Sequence, residues 1–319
     1  MRIVSIFLLF YFILLGQIEV KAQYPTDYSF ESYKIKDGLS EAGCFTVYQD
    51  HLGYVWVGTI GLERFDGYVF KNYRASVFDS TAIPNGQKRI IKEDHHQNLW
   101  VGTQNVISKL NRKTDTWENY PINNNNISFN DACFSKDDNE IFVTSYSNGL
   151  FVFDTKNKTW KQYSYGSNMF SKIATISDNE LLIATVDGLV LFNTKTKKFT
   201  QSYLETKSTT TQTSFKDFAQ IDKTHWYVSS TKGIYIFNKQ DGLKPAFVFK
   251  KGTNNSIMDN NVNAIYFNPK KQELWARIAI KGLDIIHLKT NTVTHLNNET
   301  YPDVNFIKNS IKWGFGVLG

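Results

Sequence analysis

VYQDHLGYVWVGTIGLERFDGYVFKNY, residues 47–73, decides the fold. Its order of turn, aromatic strand, Gly-Leu strand and turn returns in IKEDHHQNLWVGTQNVISKLNRKTDTWENY (91–120) and CFSKDDNEIFVTSYSNGLFVFDTKNKTWKQY (133–163). Weaker copies occupy 174–203, 219–249 and 265–296. Equivalent positions are Trp56, Trp100, Phe142, Leu182, Tyr227 and Trp275, so the unit recurs every 40 to 48 residues. A period of that length, with several short strands in each unit, predicts an all-β propeller of six four-stranded blades.

Within the first copy, strand A is expected over Cys44–Gln49, B over Tyr54–Thr59, C over Leu62–Phe65 and D over Tyr68–Tyr73. Asp66-Gly67 is a two-residue hairpin signal. Stacked blades bury both faces of their inner strands. LFVFD (150–154), LVLFN (189–193) and IYIFN (234–238) are accordingly almost continuously apolar, whereas TWENY (116–120) and TWKQY (159–163) alternate as half-exposed outer strands should. Gly61, Gly149, Gly188, Gly233 and Gly282 precede strand C, where positive φ or close backbone approach is expected. Repeat two has Val106 there, so its hairpin must be built differently. The recurring Asp50, Asp94, Asp178 and Asp222 fit Asx turns better than a ring of catalytic carboxylates.

Blades are expected at about 44–74, 89–121, 131–164, 172–204, 216–250 and 262–297. YSFESYKI (28–35) reads as an isolated strand D that would complete a seventh blade. Lys308–Ile311 resembles the lead-in to repeat six, and WGFGVLG (313–319) does not continue the motif, so 312–319 is expected to be irregular. Two readings stand: a longer design interrupted near Ile311, leaving the ring incomplete, or a complete six-bladed ring with an added N-terminal strand.

Residues 1–22 carry a positive start, an apolar run and a small residue before Gln23. That is the pattern of a secretory signal peptide cut after Ala22, and the run is too short for a membrane span. A periplasmic protein without a membrane segment is expected. The net charge of +6 is spread over turns, which argues against a nucleic-acid surface. Cys44 and Cys133 lie a whole repeat apart and are expected to stay unpaired.

The pattern Gln49-Asp50, Gly53, Trp56-Val57-Gly58-Thr59, Gly61-Leu62, Phe65-Asp66-Gly67, Phe70 and Tyr73 resembles the two-component regulator propeller repeat. KIKDGLS (34–40) is similar to the opening of Bacteroides-type hybrid two-component sensors. The resemblance covers about residues 25–296 and weakens after repeat two. It implies an extracytoplasmic sensor of oligosaccharides. In full-length relatives a second propeller, a Y-Y-Y domain, a dimer partner and a histidine kinase accompany it. No kinase signature occurs in this chain.

Chemistry-bearing motifs are sparse. No cofactor-binding motif is present, and no catalytic, metal or ligand-binding residue can be assigned from spacing. His95-His96 is expected to be a solvated hairpin whose rings face apart, and Glu93-Asp94 and Asp137-Asp138 to be turn residues. A propeller enzyme, a lyase or glycosidase, should place charged residues at blade-specific positions near the axis. The candidates are Lys92, Glu93, Lys136 and Asp217, all read as strand margins, and Arg277, which replaces the repeat's usual Gly. A binding module is the favoured reading, with a standalone carbohydrate-binding propeller or a secreted enzyme as alternatives.

Overall fold

The structure, a computed structural model, describes residues 33–123, 127–203, 213–253 and 255–297. The proposed signal peptide, most of the isolated 28–35 segment and the 312–319 tail lie outside these residues. Blade 1 is β1 (Thr46–Gln49), β2 (Val55–Gly58), β3 (Leu62–Phe65) and β4 (Phe70–Tyr73), and blade 2 is β5 (Ile90–Glu93), β6 (Leu99–Gly102), β7 (Val106–Asn111) and β8 (Thr116–Pro121). Blade 3 is β9 (Phe129–Phe134), β10 (Glu140–Ser145), β11 (Leu150–Asp154) and β12 (Thr159–Tyr163). Blade 4 is β13 (Phe170–Ser177), β14 (Glu180–Thr185), β15 (Leu189–Asn193) and β16 (Lys198–Tyr203). Blade 5 is β17 (Phe215–Gln220), β18 (His225–Ser230), β19 (Gly233–Asn238) and β20 (Gly242–Phe247). Blade 6 is β21 (Val262–Asn268), β22 (Glu273–Ile278), β23 (Gly282–His287) and β24 (Thr292–Leu296). Every sheet is an antiparallel meander in chain order, and the sheets form a six-bladed propeller with the first strand of each blade innermost.

The repeated aromatic earns its place by filling the gap to the following blade. Trp56 packs with Ile91, Leu99 and Val101 of blade 2, and Trp100 packs with Phe134 and Ile141 of blade 3. Phe142, Leu182 and Tyr227 do the same toward blades 4, 5 and 6. Trp275, last in the series, is only half-buried and belongs to none of these five clusters. Val55 and Val57, on the face of blade 1 that precedes the series, are also half-buried, whereas their counterparts Leu99 and Val101 are fully enclosed. Among the described residues, the junction between blades 6 and 1 thus lacks the apolar cluster seen at the other five.

The lead-in covers part of that face. Tyr33 packs on Phe65 and Phe70 at centroid distances of 5.1 and 5.6 Å, Asn72 Nδ2 donates to the Gly38 carbonyl, and Ser40 donates to buried Glu63. Within the isolated segment expected as a strand D, only residues 33–35 are described. They are not a strand, and Ile35 opens a short 3-10 turn over Ile35–Asp37.

Backbone demands explain the recurring glycines in two different ways. Gly149, Gly188, Gly233 and Gly282 have positive φ, as expected, but Gly61 does not. A Cβ on Gly61 would come within 2.9 Å of Ser40 Oγ, so close approach is its constraint. In blade 2, Asn105 supplies the left-handed residue with φ 62° and ties its backbone and side chain to Ile122 and Ile127. The third strands are buried (Leu150–Phe153, Leu189–Phe192) and β12 is half-exposed, as two-sided and one-sided covering require. Both cysteines are free, and burial pushes each thiol up to about 12. Among the described residues, no helix is long and apolar enough to cross a membrane.

Candidate functional site at the propeller axis

Four innermost strands carry the same irregularity. The pairing register shifts at β9–β10, between Phe170 and Lys172, between Phe215 and Asp217, and between Val262 and Ala264. The residues left out of register are Asn130, Ser171, Lys216 and Asn263. A bulge of this kind bends its strand and re-aims a side chain. Here three of the four side chains reach the next blade: Asn130 Nδ2 donates to the Phe170 carbonyl at 2.8 Å, Ser171 Oγ to the Phe215 carbonyl at 2.7 Å, and Lys216 Nζ to Asn263 Oδ1 at 2.7 Å.

One residue deeper runs a belt of alternating charge. Lys92 Nζ lies 2.8 Å from Asp131, whose other oxygen is 3.6 Å from Lys172 Nζ; Lys172 in turn lies 3.1 Å from Asp217. Asp131 also accepts from the Ile173 amide, and Asp217 from the Ile265 amide, so each carboxylate clasps the blade that follows its own. Burial by itself would lower the Lys172 ammonium, but the carboxylates of Asp131 and Asp217 outweigh it and hold the group above its ordinary value. Lys92 and Asp217 therefore face the axis and are not strand margins. In blade 6 the belt position is the small Ala264, and its cross-strand partner is Arg277, which is buried and reaches the axis.

Above the belt the channel opens into a pocket of about 370 Å³. Arg89, Lys216 and Arg277 line it from blades 2, 5 and 6, together with Asn130, Ser171 and Asn263. Met169, Phe170 and Val186 form an apolar wall, and Tyr146, 60% exposed, stands at the rim. No carboxylate and no histidine lines this upper pocket among the described residues. Burial lowers Arg89, Arg277 and Lys216, the last also through the neighbouring Arg277. Lys216 and Arg89 rest on neutral acceptors, Asn263 and Gln87. The narrower belt section below encloses about 130 Å³, and Asp131 and Asp217 line it together with Lys92, Lys172, Arg89 and Lys216.

The other sequence candidates lie away from the pocket, in the turns joining first and second strands. Asp50 accepts from the amides of Leu52 and Tyr54 and from Trp56 Nε1, and Asp94 accepts from the amides of His96 and Asn98 and from Trp100 Nε1. The expected Asx turns thus gain an indole latch, which explains the six-residue Asp-to-Trp spacing. Asp222 caps its own turn through the Thr224 and His225 amides, while Asp178 pairs with exposed Lys136. Glu93 serves His51 and Arg112. His95 and His96 do not face apart: their Nδ1 atoms lie 2.7 and 2.6 Å from the two oxygens of Asp138, joining blade 2 to blade 3. Asp94, His96 and Asp138 are close enough to share a cation, but the Asp94 oxygens are already engaged by four donors.

No family model matches the chain. Eighty-four residues are 42% identical to Histidine kinase P4 of Formosa agariphila, covering 26% of this chain and 6% of that protein. Among solved structures, the extracellular domain of the putative hybrid two-component system BT3049 of B. thetaiotaomicron superposes with a TM-score of 0.69 at 19% identity, over 88% of this chain and 38% of the other. The BT4673 extracellular domain gives 0.67 at 16% identity, over 86% and 36%. Virginiamycin B lyase of Staphylococcus aureus gives 0.62 at 13% identity, over 80% and 84%. The chain thus spans well under half of the sensor proteins it matches, and the structural likenesses establish the propeller fold.

Proposed function

We propose that this chain is the extracytoplasmic ligand-sensing module of a two-component signalling protein, exported to the periplasm, and that it binds an oligosaccharide in the upper axial pocket. The observation that carries the reading is the pocket itself. Consecutive bulges turn polar side chains inward, neighbouring blades lock them in place, and an exposed tyrosine stands at the rim. Sugar recognition needs such a set: fixed hydrogen-bonding groups for hydroxyls and an aromatic face for the ring. Resemblance to sensor extracellular domains and to a histidine kinase segment supports the signalling context.

Calorimetric titration of the full chain with a panel of oligosaccharides tests this. Saturable binding that Tyr146→Ala weakens is expected; a panel without any binder, or binding indifferent to Tyr146, refutes it. The likeness to virginiamycin B lyase supports a second reading, a propeller enzyme. Chromatography of the same mixtures after prolonged incubation separates the two, because only an enzyme yields cleaved product.

A further inference from the structure

We infer that the saccharide runs outward from the pocket across the junction of blades 3 and 4, where Tyr165 is a second aromatic platform, so that the protein selects an extended chain over a disaccharide. The inference rests on the saccharide reading above and adds to it a direction and a minimum length. Tyr146 belongs to the turn joining β10 to β11, and Tyr165 to the link between β12 and β13. Both rings are exposed, Tyr165 at 36%. The two segments are bonded to each other, the Gly149 amide donating to the Asn168 carbonyl at 2.9 Å. The turn joining β14 to β15 closes on the same link: the Val186 amide donates to the Met169 carbonyl at 3.3 Å and the Ser167 amide to Asp187 at 3.4 Å. Tyr146 and Tyr165 therefore stand on one continuous surface. That surface extends outward from the pocket wall formed by Met169, Phe170 and Val186.

A stacking platform needs a ring that is anchored yet still open to solvent. Tyr165 packs on Phe199 at 5.0 Å between centroids, and Phe199 meets Phe170 edge to face at 5.9 Å. Phe170 lines the pocket, so a run of three aromatic rings fixes Tyr165 relative to it. The backbone is pinned as well. The Tyr165 amide donates to Asn168 Oδ1 at 2.8 Å, and its carbonyl accepts from the Asn168 amide at 3.0 Å. A surface ordered before the ligand arrives loses little conformational freedom on binding. The same turns carry Ser147, Asn148, Ser167 and Asn168, short polar side chains suited to the hydroxyls of a bridging sugar. Phe249, in the link between blades 5 and 6, is also exposed, but the Lys281 ammonium already lies 5.6 Å over its ring. The continuous, anchored route out of the pocket is the one past Tyr165.

Titration calorimetry of the full chain against cello-, xylo- and galacturono-oligosaccharides, each from the disaccharide to the hexasaccharide, decides the matter. In a series that binds, affinity is expected to rise with length until the chain reaches Tyr165, and then to level off. Tyr165→Ala should cut the hexasaccharide-to-disaccharide affinity ratio about 3- to 10-fold, the scale of one aromatic contact, and Tyr165→Phe should keep it. Tyr146→Ala should weaken the disaccharide as well, whereas Phe249→Ala should leave the ratio unchanged. Circular dichroism melts verify that the variants fold, and the length series of the unmodified chain needs no variant. Affinity that does not rise with length ends the saccharide inside the pocket; it overturns this inference and leaves the saccharide reading standing. A rise that survives Tyr165→Ala, or that Phe249→Ala removes instead, overturns the route past blades 3 and 4. No binding in any series at any length overturns the saccharide reading and this inference with it.

Discussion

Asp94→Ala is expected to destabilise the propeller by about 3 kcal/mol, although it changes a turn residue on the surface side of the ring. Asp94 engages four donors: the His96 amide at 3.0 Å, the Asn98 amide at 2.8 Å, Asn98 Nδ2 at 2.9 and 3.1 Å from its two oxygens, and Trp100 Nε1 at 2.9 Å. Trp100 is 3% exposed, so its N–H would be left in the core with no acceptor, costing about 1–3 kcal/mol. The turn amides and the Asn98 side chain regain water in part and add about 1 kcal/mol more. For a domain of this size each kcal/mol shifts the melting temperature by about 2–4 °C, so a drop of roughly 6–12 °C is expected. Asp137→Ala is the matched control. It occupies the same turn in blade 3 but is itself exposed and serves only Ser135 and Asn139, with no indole to satisfy, and should cost less than about 1 kcal/mol. Urea unfolding and calorimetric melts of the full chain measure both. If Asp94→Ala loses no more stability than Asp137→Ala, the indole latch is not what fixes the Asp-to-Trp spacing.

Three further expectations follow from the packing. Trp100→Ala should cost about 3–5 kcal/mol as a fully enclosed aromatic, and Trp275→Ala about half of that because its ring is only half-buried; parallel urea titrations giving equal losses would refute the reading of the blade 6 face. Lys88, 1% exposed, donates to the carbonyls of Ile60, Pro84 and Gly86, and burial pushes its ammonium down to about 8. At this site the unfolded chain then holds more protons than the folded one above pH 8. The Lys88 contribution to stability should therefore rise between pH 8 and roughly 10.5, by at most about 3 kcal/mol, against the opposite contribution of the raised thiols. It is read as the difference between the unmodified chain and Lys88→Met in unfolding curves collected at each pH, and a difference that does not grow with pH would refute it. Gly58→Ala would place a Cβ 2.3 Å from the Lys88 carbonyl oxygen, and a loss of about 1–3 kcal/mol is expected by urea unfolding; a neutral result would show that the blade 1 to blade 2 approach is looser than described.

The blades were legible in the chain because their determinants are local and repeat. Alternation, Asp turns and Gly-Leu steps each constrain a few neighbouring residues, and the six copies reinforce one another. The axial site was much less legible. Lys92, Asp217 and Arg277 stand out in the sequence as departures from the repeat, yet two of them read as strand margins and the third as a local substitution. What promotes them is register. A bulge at Asn130, Ser171, Lys216 and Asn263 leaves no composition signature, because one extra residue in a strand changes no residue type. A faint signal was available: a polar residue recurs just after Phe129, Phe170, Phe215 and Val262, where an apolar strand would be expected to continue.

The amino-acid sequence by itself determined the number of blades, the order of strands within each, and the large apolar residue that seals each of the first five blades to the next, since these follow from periodicity and hydrogen-bonding chemistry along the chain. Only the tertiary structure decided which charges meet. Lys92 and Asp131, Lys172 and Asp217, and the trio Arg89, Lys216 and Arg277 are separated by about one to several repeats, and closing them around an axis is what pairs the first four and leaves the last three facing a common pocket. Coulombic interaction depends on separation in space, which no spacing along the chain encodes.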